Sequence, residues 1–252
     1  MQACPGAEVE RAAAEIDAQV GHDPLYMTLI ADLTTLSCRC RFALGADGAL
    51  AARYLDLPFA AVSFYGQGAG LLAVLCSLLA PGEPCYALVG DAQFEQLRSV
   101  AAVQHVDLEW QMVYRGDVAT LSSGDAFPLG DTDWPAMAAL AERGGLFAFE
   151  RNALQNGPYS GVRRDQRLVA MAGTHLMLDW MAEIGNVVAD PAYRRRGLGS
   201  MAVAATVKTL VTDSLLVVLQ VLKSNAGAIA FYRALGFECL NTMYLVRFVV
   251  GC

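Results

Sequence analysis

The chain is expected to adopt an α/β (α+β) fold, a mixed central sheet flanked by helices, on three observations in its second half. Met181–Ala189 is an apolar strand ended by Asp190-Pro191, and it feeds an arginine- and glycine-rich loop with a helix directly behind it. Leu215–Val221 is a continuous apolar run, as expected of a strand covered on both faces. Tyr159–Arg164 and Leu168–His175 read as two strands joined by a turn at Arg164-Asp165-Gln166-Arg167. Strands and helices alternating in this way belong to a layered fold in which helices cover a sheet.

From the start of the chain, Ala13–Leu33 reads as mostly helical. Phe42–Leu55 and Ala60–Tyr65 read as strands, with turns at Ala46-Asp47-Gly48 and Leu57-Pro58. Gln67-Gly68-Ala69-Gly70 then opens an apolar helix, Leu71–Leu79, which Pro81-Gly82-Glu83-Pro84 breaks. Cys85–Val89 is a strand, Asp91–Val103 a helix and Leu108–Tyr114 a strand. The stretch from Gly116 to Asp133 is rich in Gly, Ser, Asp and Thr and reads as a linker. The expected division is a smaller domain over 1–115, a linker over 116–132 and a second domain over 133–252. In the second domain Trp134–Ala141 is a helix, and Phe237–Phe248 closes the sheet with one or two strands.

With 252 residues, 55% of them hydrophobic and 17% charged, the chain can bury a sizeable core and is not a disordered sequence. A net charge of −7 argues against a nucleic-acid or anionic-membrane partner. The longest apolar run, Ala69–Ala80, is too short to span a bilayer, and the opening M-Q-A-C-P-G-A-E lacks a signal peptide's basic start and apolar centre. Seven cysteines stand at irregular spacings, and Cys38-Arg39-Cys40 has no second pair or histidine cluster near it, so no metal site is expected. The cysteines read as reduced thiols of a cytoplasmic protein.

The chemistry concentrates between Glu183 and Phe237. Gly197 and Gly199 remove side chains where a diphosphate would approach the main chain, and the helix from about Ser200 to Val211 aims its positive end there. Arg194, Arg195 and Arg196 offer charge to phosphate oxygens. Downstream, Asn225 and Tyr232 lie seven residues apart on a short helix. These residues resemble the GNAT superfamily of acyl-CoA-dependent N-acyltransferases. Its loop signature Q/R-x-x-G-x-G/A is matched by Arg194, Gly197 and Gly199, and its N-x-x-A-x-x-x-Y-x-x-x-G-F run by Asn225, Ala228, Tyr232, Gly236 and Phe237. The resemblance covers roughly Asp133 to Phe248 and implies a mostly antiparallel GNAT-like sheet, an acetyl-CoA co-substrate and a small-molecule or peptide amine acceptor, with a homodimer as one expected assembly. It implies that Val187, Val188 and Ala189 meet the pantetheine arm. The diphosphate falls to Arg194–Ser200, Leu198 included, and Asn225, Ala228 and Tyr232 lie towards the thiol end.

Amine acylation needs a base for the ammonium, a stabiliser for the oxyanion and an acid for the leaving thiolate. Glu183, flanked by Met181, Ala182, Ile184 and Gly185, is the candidate base, and some family members carry a catalytic glutamate at this offset; a glutamate at a solvated strand start is the plain alternative. Tyr232 resembles the family's general-acid tyrosine, against a core tyrosine beside Phe231, Leu235 and Phe237. The oxyanion donor, on the resemblance alone, is the Val187 N–H. His175 at a strand end is a second base, an acceptor contact or a structural histidine, and is left out of the catalytic set; Phe149, Tyr159 and Trp180 either line the acceptor pocket or belong to the core, and Glu150 and Asp179 are either acceptor contacts or solvated. Cys239 has no histidine near it in sequence, so no acyl-enzyme is expected. Gln67-Gly68-Ala69-Gly70 repeats the start of the loop signature, but Leu72 stands where its last small residue belongs. That layout resembles GNAT proteins with a degenerate N-terminal half, which is expected not to bind coenzyme A; a plain helix start is the alternative. A non-catalytic acyl-CoA-binding module, or an enzyme with another acyl donor, are the rival functional readings.

Overall fold

The computed structural model describes residues 5–146, 149–150, 152–211 and 215–251. In chain order its elements are α1 (Ala7–Val20), α2 (Met27–Leu33), β1 (Cys40–Leu44), β2 (Leu50–Tyr54), β3 (Ala60–Tyr65), α3 (Gly68–Leu78), β4 (Cys85–Val89), α4 (Asp91–Arg98) and β5 (Ala102–Tyr114), then β6 (Phe127–Leu129) and α5 (Trp134–Gly144). There follow β7 (Tyr159–Arg164), β8 (Arg167–Met177), β9 (Met181–Ala189), α6 (Leu198–Leu210), β10 (Leu216–Leu222), α7 (Ala226–Ala234) and β11 (Phe237–Val249). The chain forms two compact units, one of Met1–Glu109 with Asn241–Cys252, the other Trp110–Leu240. This differs from a division at 115 and 133. The boundaries fall inside β5 and β11, and the segment expected as a linker carries β6, which pairs antiparallel with β7.

In the first unit β1, β2 and β3 form an antiparallel meander, β4 joins β3 in parallel through the α3 crossover, and the C-terminal part of β11 pairs antiparallel with β4. Its main core gathers Phe64, Leu71, Leu75, Leu97 and Phe248. The expected helix Asp91–Val103 is shorter: it stops at Arg98, and Ala102 and Val103 belong to β5. At the start of α3 the Asp47 carboxylate lies against the helix backbone. A Cβ placed on Gly70 would come within 1.8 Å of Asp47 Oδ2, while Oδ1 accepts from the Ala49 amide at 3.2 Å. An acidic side chain therefore already sits at the positive end of this helix.

In the second unit the order is β5-β10-β9-β8-β7-β6. The β6/β7, β7/β8 and β8/β9 pairs are antiparallel and β9/β10 is parallel, so both units have mixed, mostly antiparallel sheets flanked by helices. Asp165 and Gln166 both take positive φ, as a two-residue hairpin turn with right-handed twist requires. Helix α6 buries Leu198, Ala202, Val203, Val207 and Leu210, the three-and-four spacing of one helical face, with Val169, Ile184, Val217 and Leu219 on one side of the sheet. Met137 and Leu140 of α5 pack with Met171 and Val188 in a separate cluster. Burying each such Val or Leu contributes about 1.5–3 kcal/mol.

Cys38 and Cys76 are each engaged in a disulfide, which corrects the expectation of a reduced thiol at these two positions; Cys4 and Cys252 lie outside the described residues. Among the described residues no helix is long and apolar enough to cross a membrane, and no group of three or more His, Cys, Asp or Glu is placed to hold a metal ion. Cys40 and Cys85 are free but buried, and Cys239 is free and exposed. Burial, followed by the Asp32 carboxylate, drives the Cys40 thiol far above its ordinary value, and burial pushes Cys85 up to about 12. Since the thiolate is the reactive form, a short maleimide pulse on the native protein is expected to label Cys239 and spare Cys40 and Cys85 until denaturant is added. Residue-resolved mass spectrometry checks this, and equal labelling of all three would contradict the packing.

Candidate active site

A local fault in the sheet creates the cleft. Strands β9 and β10 pair over Met181–Ile184 and Leu216–Leu219, and β9 then continues to Ala189 without β10. Its pairing with β8 slips twice. An extra residue enters β9 between the Gly173–Gly185 and Met171–Val188 pairs, and one enters β8 between Thr174–Ile184 and Leu176–Glu183. The first slip falls at Asn186, whose φ of 52° is left-handed and tolerable for Asn; its side-chain amide donates to the buried Tyr159 hydroxyl at 2.7 Å. The second slip leaves His175 as the extra residue.

Beyond the parting lies a cleft of about 440 Å³. Val187, Val188 and Ala189 of β9 form one wall, and Asn225, Ala228, Phe231 and Tyr232 form the other. Tyr193, Arg194, Arg195, Gly197, Leu198, Gly199 and Ser200 close its end, so that end carries two arginines and no acid. Twelve of the thirteen residues expected around coenzyme A line this one space. The thirteenth, Arg196, is exposed and stacks over the Tyr193 ring with its guanidinium carbon 5.2 Å from the centroid.

The loop before α6 is held from behind. Asp190, almost fully buried, accepts from Arg143 Nε at 3.0 Å, from Arg167 at 2.8 Å and from the Ala192 amide at 3.1 Å. Burial opposes its ionisation, but the amide and the two guanidinium groups outweigh burial and hold its carboxyl below the usual range. Arg194 donates to the Ala189 carbonyl at 3.3 Å, so that carbonyl is occupied. Gly197 takes φ 77°, the left-handed cap that turns the loop into α6, and a Cβ there would meet nothing within 4 Å. A Cβ on Gly199 would meet only Phe231, at 3.9 Å. The positive end of α6 thus faces open space, where that of α3 faces Asp47.

Asn225 caps α7, its side-chain oxygen accepting from the Ala228 amide at 3.1 Å. Tyr232 is buried between Phe231 and Phe237, edge-to-face with both rings, and its hydroxyl has no protein partner among the described residues. Burial pushes the phenol up to about 12, so it stays protonated at neutral pH. Glu183 is buried on β9 and does not line the cleft; its Oε2 lies 3.1 Å from His175 Nδ1. Sequence reasoning overlooked this contact and the Asp190 clamp. The first signal for the clamp is a buried acid between two basic segments, which only the folded register brings together.

A family model described as the acetyltransferase (GNAT) family matches residues 128–237. The [ribosomal protein bS18]-alanine N-acetyltransferase of Salmonella typhimurium is 35% identical over 116 residues, 44% of this chain and 78% of that one. Among solved structures, a Drosophila protein superposes with TM-score 0.71 at 16% identity, over 98% of this chain and 97% of its own. An acetyltransferase from the GNAT family from Colwellia psychrerythraea gives 0.65 at 12%, over 97% of each; both likenesses concern the fold alone. The chain belongs to the acetyltransferase (GNAT) family and is an acetyltransferase.

The raised Tyr232 phenol has a consequence for stability. Its proton is held more tightly in the folded state than in the unfolded chain, so the stabilisation is complete below about pH 10 and is lost as pH rises through about 12. Tyr232→Phe is expected to flatten the alkaline fall in denaturation midpoint, by at most about 2–3 kcal/mol over that window. Chemical denaturation from pH 8 to 12 reads it, and parallel curves for the two proteins would contradict the burial of the hydroxyl.

Proposed function

We propose that this acetyltransferase transfers the acetyl group of acetyl-CoA to a primary amine by direct attack in a ternary complex. The observation that carries the reading is one cleft lined by both an open, arginine-lined helix N-terminus and Tyr232. The diphosphate takes the main-chain amides at Gly197–Ser200 with charge from Arg194 and Arg195. Arg196 adds charge from outside. The pantetheine arm runs along Val187–Ala189, past Asn225 and Ala228. Glu183 takes the amine's proton through water, the Val187 N–H faces the developing oxyanion, and Tyr232 protonates the departing thiolate. The carbon–nitrogen bond forms as the carbonyl opens to the oxyanion, and the carbon–sulfur bond breaks as that oxyanion collapses. The enzyme acts in the cytoplasm. A peptide beginning with alanine is the first acceptor to test, because the 35% identical relative is named for a ribosomal protein alanine.

The N-terminal half, expected over 1–115, acts as a degenerate counterpart that takes no acyl-CoA. Asp47 supports this, since its carboxylate stands where an anion would have to meet α3. Calorimetric titration with acetyl-CoA is expected to give one site per chain. Gly199→Trp should abolish it, since that position is free of left-handed strain, an added Cβ meets only Phe231 at 3.9 Å, and the indole would take up space in the cleft that Gly199 lines. Two sites, or unimpaired binding in a folded Gly199→Trp variant, would overturn the reading. Tyr232→Phe is expected to lower kcat by on the order of ten- to a hundredfold with acetyl-CoA affinity retained. Thiol-release kinetics check this, and a collapse of affinity with kcat preserved would make the tyrosine a binding residue instead.

A further inference from the structure

Acetylation of an ammonium releases one proton per amide: R–NH3+ and the thioester become the amide, the free thiol and H+. On the proposed reading Glu183 receives that proton, yet its side chain is only 6% exposed and does not line the cleft. The route out is visible in its partner. His175 Nδ1 lies 3.1 Å from Glu183 Oε2, and the His175 side chain is 52% exposed. The residue that carries the ring is fixed at its backbone and given room at its Cβ. Its backbone carbonyl accepts from Asn156 Nδ2 at 2.9 Å, and Gly185 across the pair leaves the room a Cβ would take, 2.6 Å from His175 Cβ. A half-exposed imidazole bonded to a buried carboxylate is a group that can exchange protons with solvent on the carboxylate's behalf.

We propose that His175 is the positioning residue that orients Glu183 and carries its proton to solvent. The O–H bond of protonated Glu183 breaks and an N–H bond forms at His175 Nδ1. The imidazolium then gives its Nε2 proton to water or a buffer base, and the ring returns to its starting tautomer, Nε2–H with Nδ1 bare, when solvent protonates Nε2 again and takes the proton from Nδ1. The inference rests on Glu183 being the base of the reaction.

The test is steady-state turnover of His175→Gln and His175→Ala with acetyl-CoA and an amine acceptor, in dilute buffer and with added imidazole. Turnover in dilute buffer is expected to fall on the order of ten- to a hundredfold. Imidazole should restore it in the Ala variant, which leaves room for the ring, while calorimetric affinity for acetyl-CoA stays unchanged. Wild-type turnover in dilute buffer, or a loss that no imidazole concentration relieves, would overturn the relay; a merely structural histidine gives the second outcome. Glu183→Gln separates the two claims. If it keeps full turnover, the base assignment fails and the relay with it; if it is inactive while both His175 variants turn over normally, the relay alone fails.

Discussion

The second unit depends on two neighbouring parallel strands ceasing to be neighbours. A strand in a sheet normally spends its N–H and C=O groups on both flanks, and a buried strand left without partners is costly. Here β9 loses β10 after Ile184 and runs on for five residues beside a cleft. The slip at Asn186 turns those residues away from the regular ladder, and its amide, anchored on Tyr159, fixes how far they turn. Helices α6 and α7 then supply what the missing strand does not, one with its open N-terminus and the other with an aromatic face. The cleft is thus a property of the strand pairing before it is a property of any side chain.

Electrostatics follow the same local logic. The chain is acidic overall, with a net charge of −7, but the cleft's lining has arginines and no carboxylate. Whole-chain charge sets solubility and long-range encounter, whereas a bound anion responds to the few groups within a Debye length of about 8–10 Å. The Asp190 clamp is the counterweight: it draws Arg143 and Arg167 behind the loop and leaves the cleft side to Arg194 and Arg195.

How much of this was legible in the sequence varied with how local the determinant was. β3, β4 and β9 have the expected limits because each is a mostly apolar run bounded by Gly, Pro, Asp or a tight turn, and β7 because Pro158 and the Asp165-Gln166 turn bound it. Helix α4 was expected to run too far, since no Gly or Pro separates Arg98 from Ala102 and sequence pattern alone does not mark the change of conformation. The cradle was readable because Gly197, Gly199 and the arginines act where they stand in the chain. The His175–Glu183 contact was not. A regular ladder growing from the Leu178–Met181 turn sets His175 against Ile184, and only the extra residue in β8 brings His175 beside Glu183. The Asp47 plug was equally hidden, because it joins a β-turn to a helix more than twenty residues later.

The way β11 completes the first unit also orders the birth of the molecule. Residues 110–240 are contiguous, so the second unit has all its strands as soon as Leu240 has been synthesised. The first unit does not: β4, finished at Val89, waits for Tyr244–Phe248 to be added some 150 residues later before its open edge is covered. At typical translation rates of about 5–20 residues per second that edge stays bare for roughly eight to thirty seconds on the ribosome. The earlier-made half of this protein is therefore the later to finish folding.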